Sequence, residues 1–384
     1  KVAIIGSGPA GLSASYYLAL KGFKVTMFEA APVLGGWLRV GIPEYRLPRD
    51  ILENEIQHIL GLGVEAKTNT ALGKDLTVQD LKDQGYKAVF LGVGCQNGAK
   101  LAIPGEDASG VVQGVDFLKK AALGEWTEKA TSAVIIGGGN VAIDAARTQV
   151  RMGAKEVTIL YRRTRQEMPA FGEEIDAAIH EGVKIQYLAA PVEVIAANGK
   201  VTGLKCIRME LGPPDESGRR RPVPKEGSEF VLDVDTIIPA IGQTIDPTLW
   251  DAIGGLERTR RNTIQIDRIT YATTIEGVFA GGDAGTGPAT VVEAVAAGRE
   301  VAESIQRFLD GADMTAGRPM QFVDNPEYPP IPEKMRPEKR AKNPELTVAQ
   351  RSGFQEVELA FPEDEAAREA ARCLNCGVCS ECME

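Results

Sequence analysis

The sequence predicts an α/β fold of two similar three-layer lobes, with the second lobe inserted into a discontinuous first lobe. An apolar run and glycine-rich turn at residues 2–11 recur at 133–142. Each copy continues into a second apolar run, at 24–29 and at 156–161, as a strand–turn–helix–strand unit does. The apolar period of residues 289–309 is typical of a packed helix, with which the first lobe resumes. We therefore expect two Rossmann-like lobes, each built on a parallel sheet.

Glycine- and proline-rich stretches along the chain suggest where these lobes begin and end. Residues 86–94 and 235–242 have the pattern of buried strands that end in glycines, and each closes a lobe. The expected domains are residues 1–108 with 274–317 for the first lobe, 109–273 for the second, and 318–384 for an extended linker, a short helix and the start of a cysteine-bearing module. Because the chain starts inside an apolar strand and stops just after the cysteines, we expect a longer polypeptide.

Composition and charge narrow the class of protein. The chain has 384 residues, 43% of them hydrophobic and 25% charged, as in globular proteins with more than one domain. Its net charge of −10 argues against nucleic acid or an anionic membrane as a partner. No apolar run reaches the roughly 20 residues that a membrane-spanning helix needs, and no signal peptide opens the chain. A cytoplasmic location is expected.

The first glycine turn has the features of a dinucleotide site. A pyrophosphate is held by backbone N–H groups at a helix N-terminus, which only glycines let it approach closely. Gly6, Gly8 and Gly11 have this spacing, between a strand and a helix. Glu29 ends the next strand, where a carboxylate can bind ribose hydroxyls. The alternative, a glycine turn without a ligand, does not explain Glu29.

The second turn differs from the first in the residues that come after it. Its small residues are Gly137, Gly139 and Ala142, but the position that matches Glu29 is occupied by Tyr161, with two arginines after it. Guanidinium groups bind a 2′-phosphate that a carboxylate would repel, so Arg162 and Arg163 favour NADPH over NADH. Two alternatives stay open: the arginines form a solvated face, or the site also accepts NADH.

A third motif indicates that the first lobe binds a flavin. Asp283 follows two glycines at a strand end, where its carboxylate can bond a ribityl chain. The helix that begins near Thr290 would direct its positive N-terminus at a reduced flavin ring. Together with Gly35 and Gly36, this pattern predicts that the first lobe is an FAD-binding domain and the inserted lobe an NAD(P)H-binding domain.

These motifs resemble those of the small subunit of NADPH-dependent glutamate synthase and related flavoproteins with two dinucleotide-binding domains. The resemblance extends over residues 1 to about 315 and rests on the motifs Gly6-x-Gly8-x-x-Gly11, Gly35-Gly36, Gly41-Ile-Pro43, Gly137-Gly-Gly-Asn-Val-Ala142, Tyr161-Arg-Arg163, Glu167-Met-Pro-Ala170, Ala240-Ile-Gly-Gln243 and Gly281-Gly-Asp283. It implies that Glu29, Gly36 and Asp283 contact FAD, and that Asn140, Arg162 and Arg163 contact NADPH. It also implies hydride transfer to the flavin and onward transfer to iron–sulfur clusters. The full set of candidate cofactor-binding residues is Gly6, Gly8, Pro9, Ala10, Gly11, Glu29, Ala30, Gly36, Gly137, Gly139, Asn140, Val141, Ala142, Arg162, Arg163, Gly242, Gly282, Asp283, Thr290 and Val291.

The cysteines predict an iron–sulfur cluster. Cys373, Cys376, Cys379 and Cys382 are separated by two residues each, a spacing that suits a [4Fe-4S] cluster. Zinc is the rival, although its structural sites usually use two pairs separated by a longer loop. The first three are the stronger ligands, since Cys382 comes one residue earlier than in the common ferredoxin pattern and can instead serve another cluster. In glutamate synthase subunits the cysteines precede the first lobe, which argues against glutamate synthesis here and for a C-terminal ferredoxin-type module.

The expected function is that of an FAD-dependent NAD(P)H:acceptor oxidoreductase that passes electrons from NADPH through FAD to an iron–sulfur cluster. An iron–sulfur or ferredoxin-type partner, or a larger subunit, is expected to form a complex with it. Hydride transfer at a flavin needs positioning rather than a protein acid or base, so none is assigned. The alternatives are a subunit of an electron-bifurcating complex, a non-catalytic relay subunit, or a disulfide reductase, which would need a cysteine pair that the chain lacks before Cys373.

Overall fold

Two parallel sheets form the centres of two lobes in the computed structural model, which describes residues 1–214, 218–318 and 339–372. The strands are β1 (Val2–Ile5), β2 (Val25–Phe28), β3 (Glu65–Lys67), β4 (Ala88–Leu91), β5 (Asn97–Gly98), β6 (Ser132–Ile136), β7 (Glu156–Tyr161), β8 (Lys184–Tyr187), β9 (Ala189–Ala197), β10 (Lys200–Pro214), β11 (Arg220–Leu232), β12 (Thr236–Pro239), β13 (Gln243–Thr244) and β14 (Val278–Ala280). The helices are α1 (Pro9–Leu20), α2 (Trp37–Val40), α3 (Arg49–Gly61), α4 (Val78–Asp83), α5 (Gly114–Ala122), α6 (Asn140–Arg151), α7 (Gly172–His180), α8 (Thr248–Ala252), α9 (Asp283–Thr286), α10 (Val291–Asp310) and α11 (Glu363–Ala371).

The sheet of the first lobe has the order β14-β4-β1-β2-β3, and all of its neighbouring strands are parallel. Every residue of β1, β2 and β4 is buried, because helices cover both faces of a parallel sheet and apolar runs satisfy both. Ile5 pairs with Phe28 on one side and with Leu91 on the other. This register places the carboxyl ends of the three strands, and the loops after them, at one edge of the sheet.

The second lobe repeats this plan with a parallel sheet of order β12-β6-β7-β8. Ile136 of its central strand pairs with Leu160 and with Pro239. The predicted α/β class with two parallel-sheet lobes is confirmed. One feature has no counterpart in the sequence prediction: β9, β10 and β11 form an antiparallel sheet that extends the second lobe.

The chain passes between the lobes twice, and the two connecting segments form hydrogen bonds with each other. β5 leaves the first lobe and β13 returns to it, and these two-residue strands form an antiparallel pair. Directly after β13, the side chains of Ile245, Leu249 and Trp250 lie in the core of the first lobe beside Ala3 and Leu91. We therefore propose that the inserted lobe ends near residue 244 rather than at 273.

Residues 339–372 return across the surface of both lobes and end in α11. Near the middle of this segment, the amide of Val357 donates a hydrogen bond to the carbonyl oxygen of Tyr45, at 3.0 Å. The cysteine motif predicted to bind iron and sulfur, Cys373 to Cys382, lies outside the described residues. In the ranges that are described, no helix has the length and apolar character that crossing a bilayer requires.

Candidate dinucleotide sites

The first glycine turn leaves no room for side chains at two of its three glycines, Gly6 and Gly11. Gly6 has a φ of +97°, and a Cβ atom there would lie 2.4 Å from the carbonyl oxygen of Gly92. A Cβ atom on Gly11 would lie 1.9 Å from the carbonyl oxygen of Gly6. Gly8 is the N-cap of α1, with Pro9 in the first helical position. The turn therefore exposes backbone at the start of a helix, which is the arrangement that a pyrophosphate requires.

The carboxylate of Glu29 lies against this turn. Its Oε2 accepts hydrogen bonds from the backbone N–H of Ser7 at 2.8 Å and from the Ser7 hydroxyl at 2.6 Å. Its Oε1 accepts a hydrogen bond from the amide of Ala31 at 2.8 Å, and Ala30 between them is exposed. Ser7 was not among the predicted site residues, because it occupies a variable position of the glycine motif. The sequence feature that could have identified it is a hydroxyl side chain two residues after the end of β1.

A second glycine loop closes over the first turn. A Cβ atom on Gly36 would lie 2.7 Å from the Cα atom of Gly8, so the two backbones touch. The amide of Gly35 donates a hydrogen bond to the Ser7 hydroxyl at 3.0 Å. The structure thus brings Gly6, Gly8, Glu29 and Gly36 together, and their binding of one end of a cofactor stays a prediction.

The Asp283 loop lies next to α1. A Cβ atom on Gly282 would lie 3.0 Å from the Cβ atom of Ala10, and one on Gly298 would lie 2.4 Å from the carbonyl oxygen of Ala10. Asp283 Oδ1 accepts a hydrogen bond from the amide of Ala289 at 3.2 Å. Burial, and to a smaller extent the carboxylate of Glu293, raises the pKa of Asp283 to about 6. The loop therefore holds, close to the first turn of α1, a carboxyl group that is protonated at a higher pH than an ordinary aspartate.

The N-terminus of α10 combines a polar cap with two exposed apolar side chains. Thr290 caps it, since the Thr290 hydroxyl accepts a hydrogen bond from the amide of Glu293, and the Glu293 carboxylate accepts one from the amide of Thr290. The next two side chains are exposed, Val291 to 39% and Val292 to 76%. Exposed apolar groups beside the free donors of a first helical turn suit a flat ring with polar edges.

The second glycine turn is as tight as the first. A Cβ atom on Gly137 would lie 2.2 Å from the carbonyl oxygen of Ala240, while Gly139 is the N-cap of α6. Ala142 is fully buried and Val141 half-buried, and the Asn140 side chain accepts a hydrogen bond from the amide of Phe171. Gly242, with a φ of +141°, lies in the loop before β13. Gly137, Gly139, Asn140, Val141 and Ala142 thus lie at the start of one helix, and their binding of a nucleotide stays a prediction.

The last residue of β7 and the two arginines that follow it have three different environments. The Tyr161 ring packs on Gly138, and its hydroxyl donates a hydrogen bond to the carbonyl oxygen of Glu167 at 2.6 Å. Arg162 is exposed and makes no hydrogen bond or ion pair with any residue that the structure describes. Arg163 is only 6% exposed, and its Nε donates a hydrogen bond to the carbonyl oxygen of Arg220 on β11. The two arginines predicted to act together therefore face different surroundings.

A cavity of about 360 Å³ lies at the seam between the lobes. Its walls come from the first lobe, the second lobe, the N-terminus of α10 and the C-terminal segment. Residues representative of these four parts are Tyr45, Arg46, Arg147, Glu174, Val291 and Val357. Val291 belongs both to this cavity and to the residues predicted to bind the flavin.

The two cysteines in the described part of the chain are free and buried. The thiol of Cys95 donates to the carbonyl oxygen of Asp283 at 3.4 Å, and burial raises the pKa of Cys95 to about 12. Burial likewise raises the pKa of Cys206 to about 12. Thiols that stay protonated are poor nucleophiles, so neither favours the disulfide reductase alternative. Within the same residues, no cluster of His, Cys, Asp or Glu is arranged to hold a metal ion.

Comparison with known proteins shows which family the chain resembles. The model of the pyridine nucleotide-disulphide oxidoreductase family matches residues 1–298. The NADP(+)-dependent formate dehydrogenase subunit beta of Moorella thermoacetica is 45% identical over 387 residues, which is 98% of this chain and 54% of that protein. The NADPH-Fe(3+) oxidoreductase subunit beta of Geobacter sulfurreducens is 40% identical over 98% of this chain and 61% of its own length. The chain therefore spans a little over half of these two relatives.

The resemblance to glutamate synthase is confirmed by a third relative. The glutamate synthase [NADPH] small chain of Escherichia coli is 36% identical over 325 residues, 81% of this chain and 69% of that one. Among solved structures, Mycobacterium tuberculosis FprA in complex with NADPH superposes with a TM-score of 0.68 at 21% identity, over 81% of this chain and 84% of that one. Thioredoxin reductase of T. acidophilum superposes with a TM-score of 0.60 at 22% identity, over 81% and 98%. At these identities the two structures show the fold alone.

Proposed function

Since the chain belongs to the pyridine nucleotide-disulphide oxidoreductase family, we propose that it takes electrons from NADPH through FAD to a [4Fe-4S] cluster and a partner subunit. It would do so in the cytoplasm, as one part of a longer electron-transfer protein. The observation that carries this proposal is the pair of glycine turns, in which Gly6, Gly11 and Gly137 leave no room for a Cβ atom, with a buried carboxylate beside the first turn and an exposed guanidinium after the second.

The first glycine turn, between β1 and α1, fits FAD. The backbone N–H groups at the start of α1 would hold the pyrophosphate. The carboxylate of Glu29 accepts three hydrogen bonds and keeps about one of its four acceptor sites for a ribose hydroxyl. Asp283 and the apolar first turn of α10 would hold the ribityl chain and the ring. FAD, when bound, accepts two electrons together and releases them singly, which is the chemistry that the chain itself lacks.

The second glycine turn, between β6 and α6, fits NADPH. The start of α6 would hold the pyrophosphate, and Arg162 would face the 2′-phosphate because it is exposed and uncommitted among the described residues. Arg163 would act differently, by holding β11 against the end of β7 through the Arg220 carbonyl group. The proposal therefore assigns nucleotide preference chiefly to Arg162.

The names of the relatives support the remainder of the proposal. Two proteins that match 98% of this chain are named as beta subunits, one of an NADP(+)-dependent formate dehydrogenase and one of an NADPH-Fe(3+) oxidoreductase. Both names combine NADP with a multi-subunit oxidoreductase. Four cysteines with ferredoxin-like spacing come after α11 in the sequence and would be the route from the flavin to such a partner.

Cofactor analysis and anaerobic reduction test this function. We expect the purified full chain to contain one FAD and about four iron and four sulfide per chain, and its flavin absorbance to bleach with NADPH faster than with NADH. Zinc in place of iron and sulfide would disprove the cluster. A flavin that neither nucleotide bleaches would disprove the oxidoreductase and favour a relay without nucleotide chemistry.

A further inference from the structure

An ion pair joins the two lobes across their seam. Arg46, from the loop after α2, donates hydrogen bonds from Nη1 to both carboxylate oxygens of Asp144 on α6, at 2.9 and 2.8 Å. Its Nε lies 3.0 Å from the carboxylate of Glu174 on α7. Asp144 is 5% exposed, so this contact is inside the molecule. One residue of the first lobe thus binds two elements of the second.

The ion pair continues into a buried network in the second lobe. Arg147 contacts Glu174 through Nη1 and donates hydrogen bonds from Nε and Nη2 to Glu181, at 3.0 and 2.9 Å. Arg151 donates two more to Glu181, at 2.6 and 3.0 Å. Burial alone would raise the pKa of Glu181, but the hydrogen bonds from Arg151 and Arg147 lower it to about 2. Glu181 is therefore a carboxylate at physiological pH, although its side chain is 3% exposed.

The C-terminal segment binds the same network. The Nη1 atom of Arg351 lies 3.4 Å from Oε1 of Glu181, and its Nη2 atom lies 2.6 Å from Oε2 of Glu345. Arg151 Nε donates a hydrogen bond to the carbonyl oxygen of Gly353 at 3.1 Å. On the side of the first lobe, the centre of the Tyr45 ring lies 3.9 Å from the guanidinium carbon of Arg151. The Tyr45 carbonyl group accepts the hydrogen bond from the amide of Val357. The segment thus contacts both lobes at once.

These contacts favour one orientation of the lobes. Burying ions costs solvation energy, which is repaid only at good geometry, so a network of bidentate guanidinium–carboxylate contacts tolerates little rotation. At the two chain crossings, the strands β5 and β13 that pair with each other are two residues long each. The ion pairs at the seam therefore add side-chain contacts that favour one relative position of the lobes.

We propose that Arg46–Asp144 and Arg351–Glu181 form an inter-lobe clasp, in which Arg46 and Arg351 are positioning residues that set the nucleotide lobe against the flavin lobe. This inference rests on the proposed function. Transfer between two bound cofactors needs the reacting atoms about 3 to 3.5 Å apart, and a displacement of 1 Å can cost about a hundredfold in rate. The segment that leads to the cysteines is thereby fixed to the same seam.

The test compares Arg351→Ala, Arg351→Lys and Asp144→Asn with the wild-type chain, with Arg368→Ala as a matched control. Arg368 lies on α11 in the same segment, where its side chain is 61% exposed and pairs only with Glu365 in the described chain. Amide hydrogen exchange is measured on residues 43–47 and 345–358 without added nucleotide. Anaerobic stopped-flow absorbance then gives the limiting rate of flavin reduction and the Kd for NADPH.

We expect Arg351→Ala and Asp144→Asn to increase exchange in both segments and to lower the limiting rate about tenfold or more, with the Kd for NADPH changed less than about twofold. Arg351→Lys should recover part of the rate. Exchange and rate like those of Arg368→Ala would overturn the clasp, and increased exchange with an unchanged rate would overturn the positioning role. If NADPH fails to reduce the wild-type flavin, the proposed function fails, whereas the exchange measurement still tests the clasp.

Discussion

Glu29 and Ser7 are joined by two hydrogen bonds to one carboxylate oxygen, from the Ser7 amide at 2.8 Å and from its hydroxyl at 2.6 Å. This contact ties the end of β2 to the glycine turn after β1. Twenty-two residues separate the two partners in sequence, yet they belong to neighbouring parallel strands and reach the same edge of the sheet. The carboxylate is thus oriented before any ligand binds, which lowers the entropic cost of binding one.

Replacing this carboxylate should weaken FAD binding. We expect Glu29→Gln to raise the Kd for FAD about tenfold or more, because one acceptor for a ribose hydroxyl becomes a donor. Ser7→Ala keeps the backbone donor, so its effect should be smaller. Flavin fluorescence titration of the apoprotein measures both constants. Equal affinity of Glu29→Gln and the wild type would remove Glu29 from the site.

Alanine substitutions at two glycines of one motif should have different effects, one on FAD binding and the other on folding. A Cβ atom on Gly8 meets no protein atom within 4 Å, whereas one on Gly11 would lie 1.9 Å from the Gly6 carbonyl oxygen. Gly8→Ala should therefore cost the apoprotein no more than about 0.5 kcal/mol while abolishing FAD binding, and Gly11→Ala should prevent folding. Circular dichroism melts and flavin content distinguish the two outcomes. A Gly8→Ala protein that keeps its FAD would show that the pyrophosphate does not approach this backbone.

Nucleotide preference should depend more on Arg162 than on Arg163. Losing a charged hydrogen bond to a phosphate costs about 1.5 to 3 kcal/mol, so Arg162→Ala should raise the Kd for NADPH about 10- to 100-fold and leave that for NADH nearly unchanged. Arg163→Ala should chiefly lower the melting temperature, because its Nε holds the Arg220 carbonyl group. Arg260, exposed in the first lobe, provides a control. Unchanged NADPH binding in Arg162→Ala would contradict the assignment.

The buried network should make stability depend on acid. The folded protein lowers the pKa of Glu181 to about 2 from the ordinary value of 4.5, so the stability it contributes is complete above pH 4.5 and disappears as the pH falls towards 2. That contribution is of the order of 2 to 3 kcal/mol. Glu181→Gln should therefore be less stable than the wild type at pH 7, and the difference should shrink to about a quarter of that value by pH 2.5.

Urea unfolding at a series of pH values measures this difference. The exposed carboxylate of Glu156, which pairs with Lys184, offers a control because its side chain is 48% exposed. Glu156→Gln should show little loss at any pH, as exposed ion pairs contribute little. A stability difference for Glu181→Gln that stays constant from pH 7 to 2.5 would contradict the role assigned to its ionised form.

Much of the molecule could be predicted because its decisive signals are local. A glycine turn between a strand and a helix, a Glu at the next strand end and a Gly-Gly-Asp loop are each readable within thirty residues, and the structure has the two parallel-sheet lobes that these patterns predict. The antiparallel sheet of β9, β10 and β11 was missed. Its strands carry mixed polar and apolar residues with long exposed stretches, a pattern that does not separate a hairpin from a polar loop.

The sequence by itself determined the two dinucleotide lobes and the difference between them, a glutamate at the end of the second strand of one lobe and arginines after the corresponding strand of the other. Tight turns and strand-end charges depend on the chemistry of a few adjacent residues. Only the tertiary structure decided that Arg162 is exposed while Arg163 is buried, that Ser7 holds Glu29, and that Arg46 reaches Asp144 across the seam. Each of these depends on partners 22 to 98 residues away. Burial and ion pairing between distant segments result from how the lobes pack, and local pattern does not encode that packing.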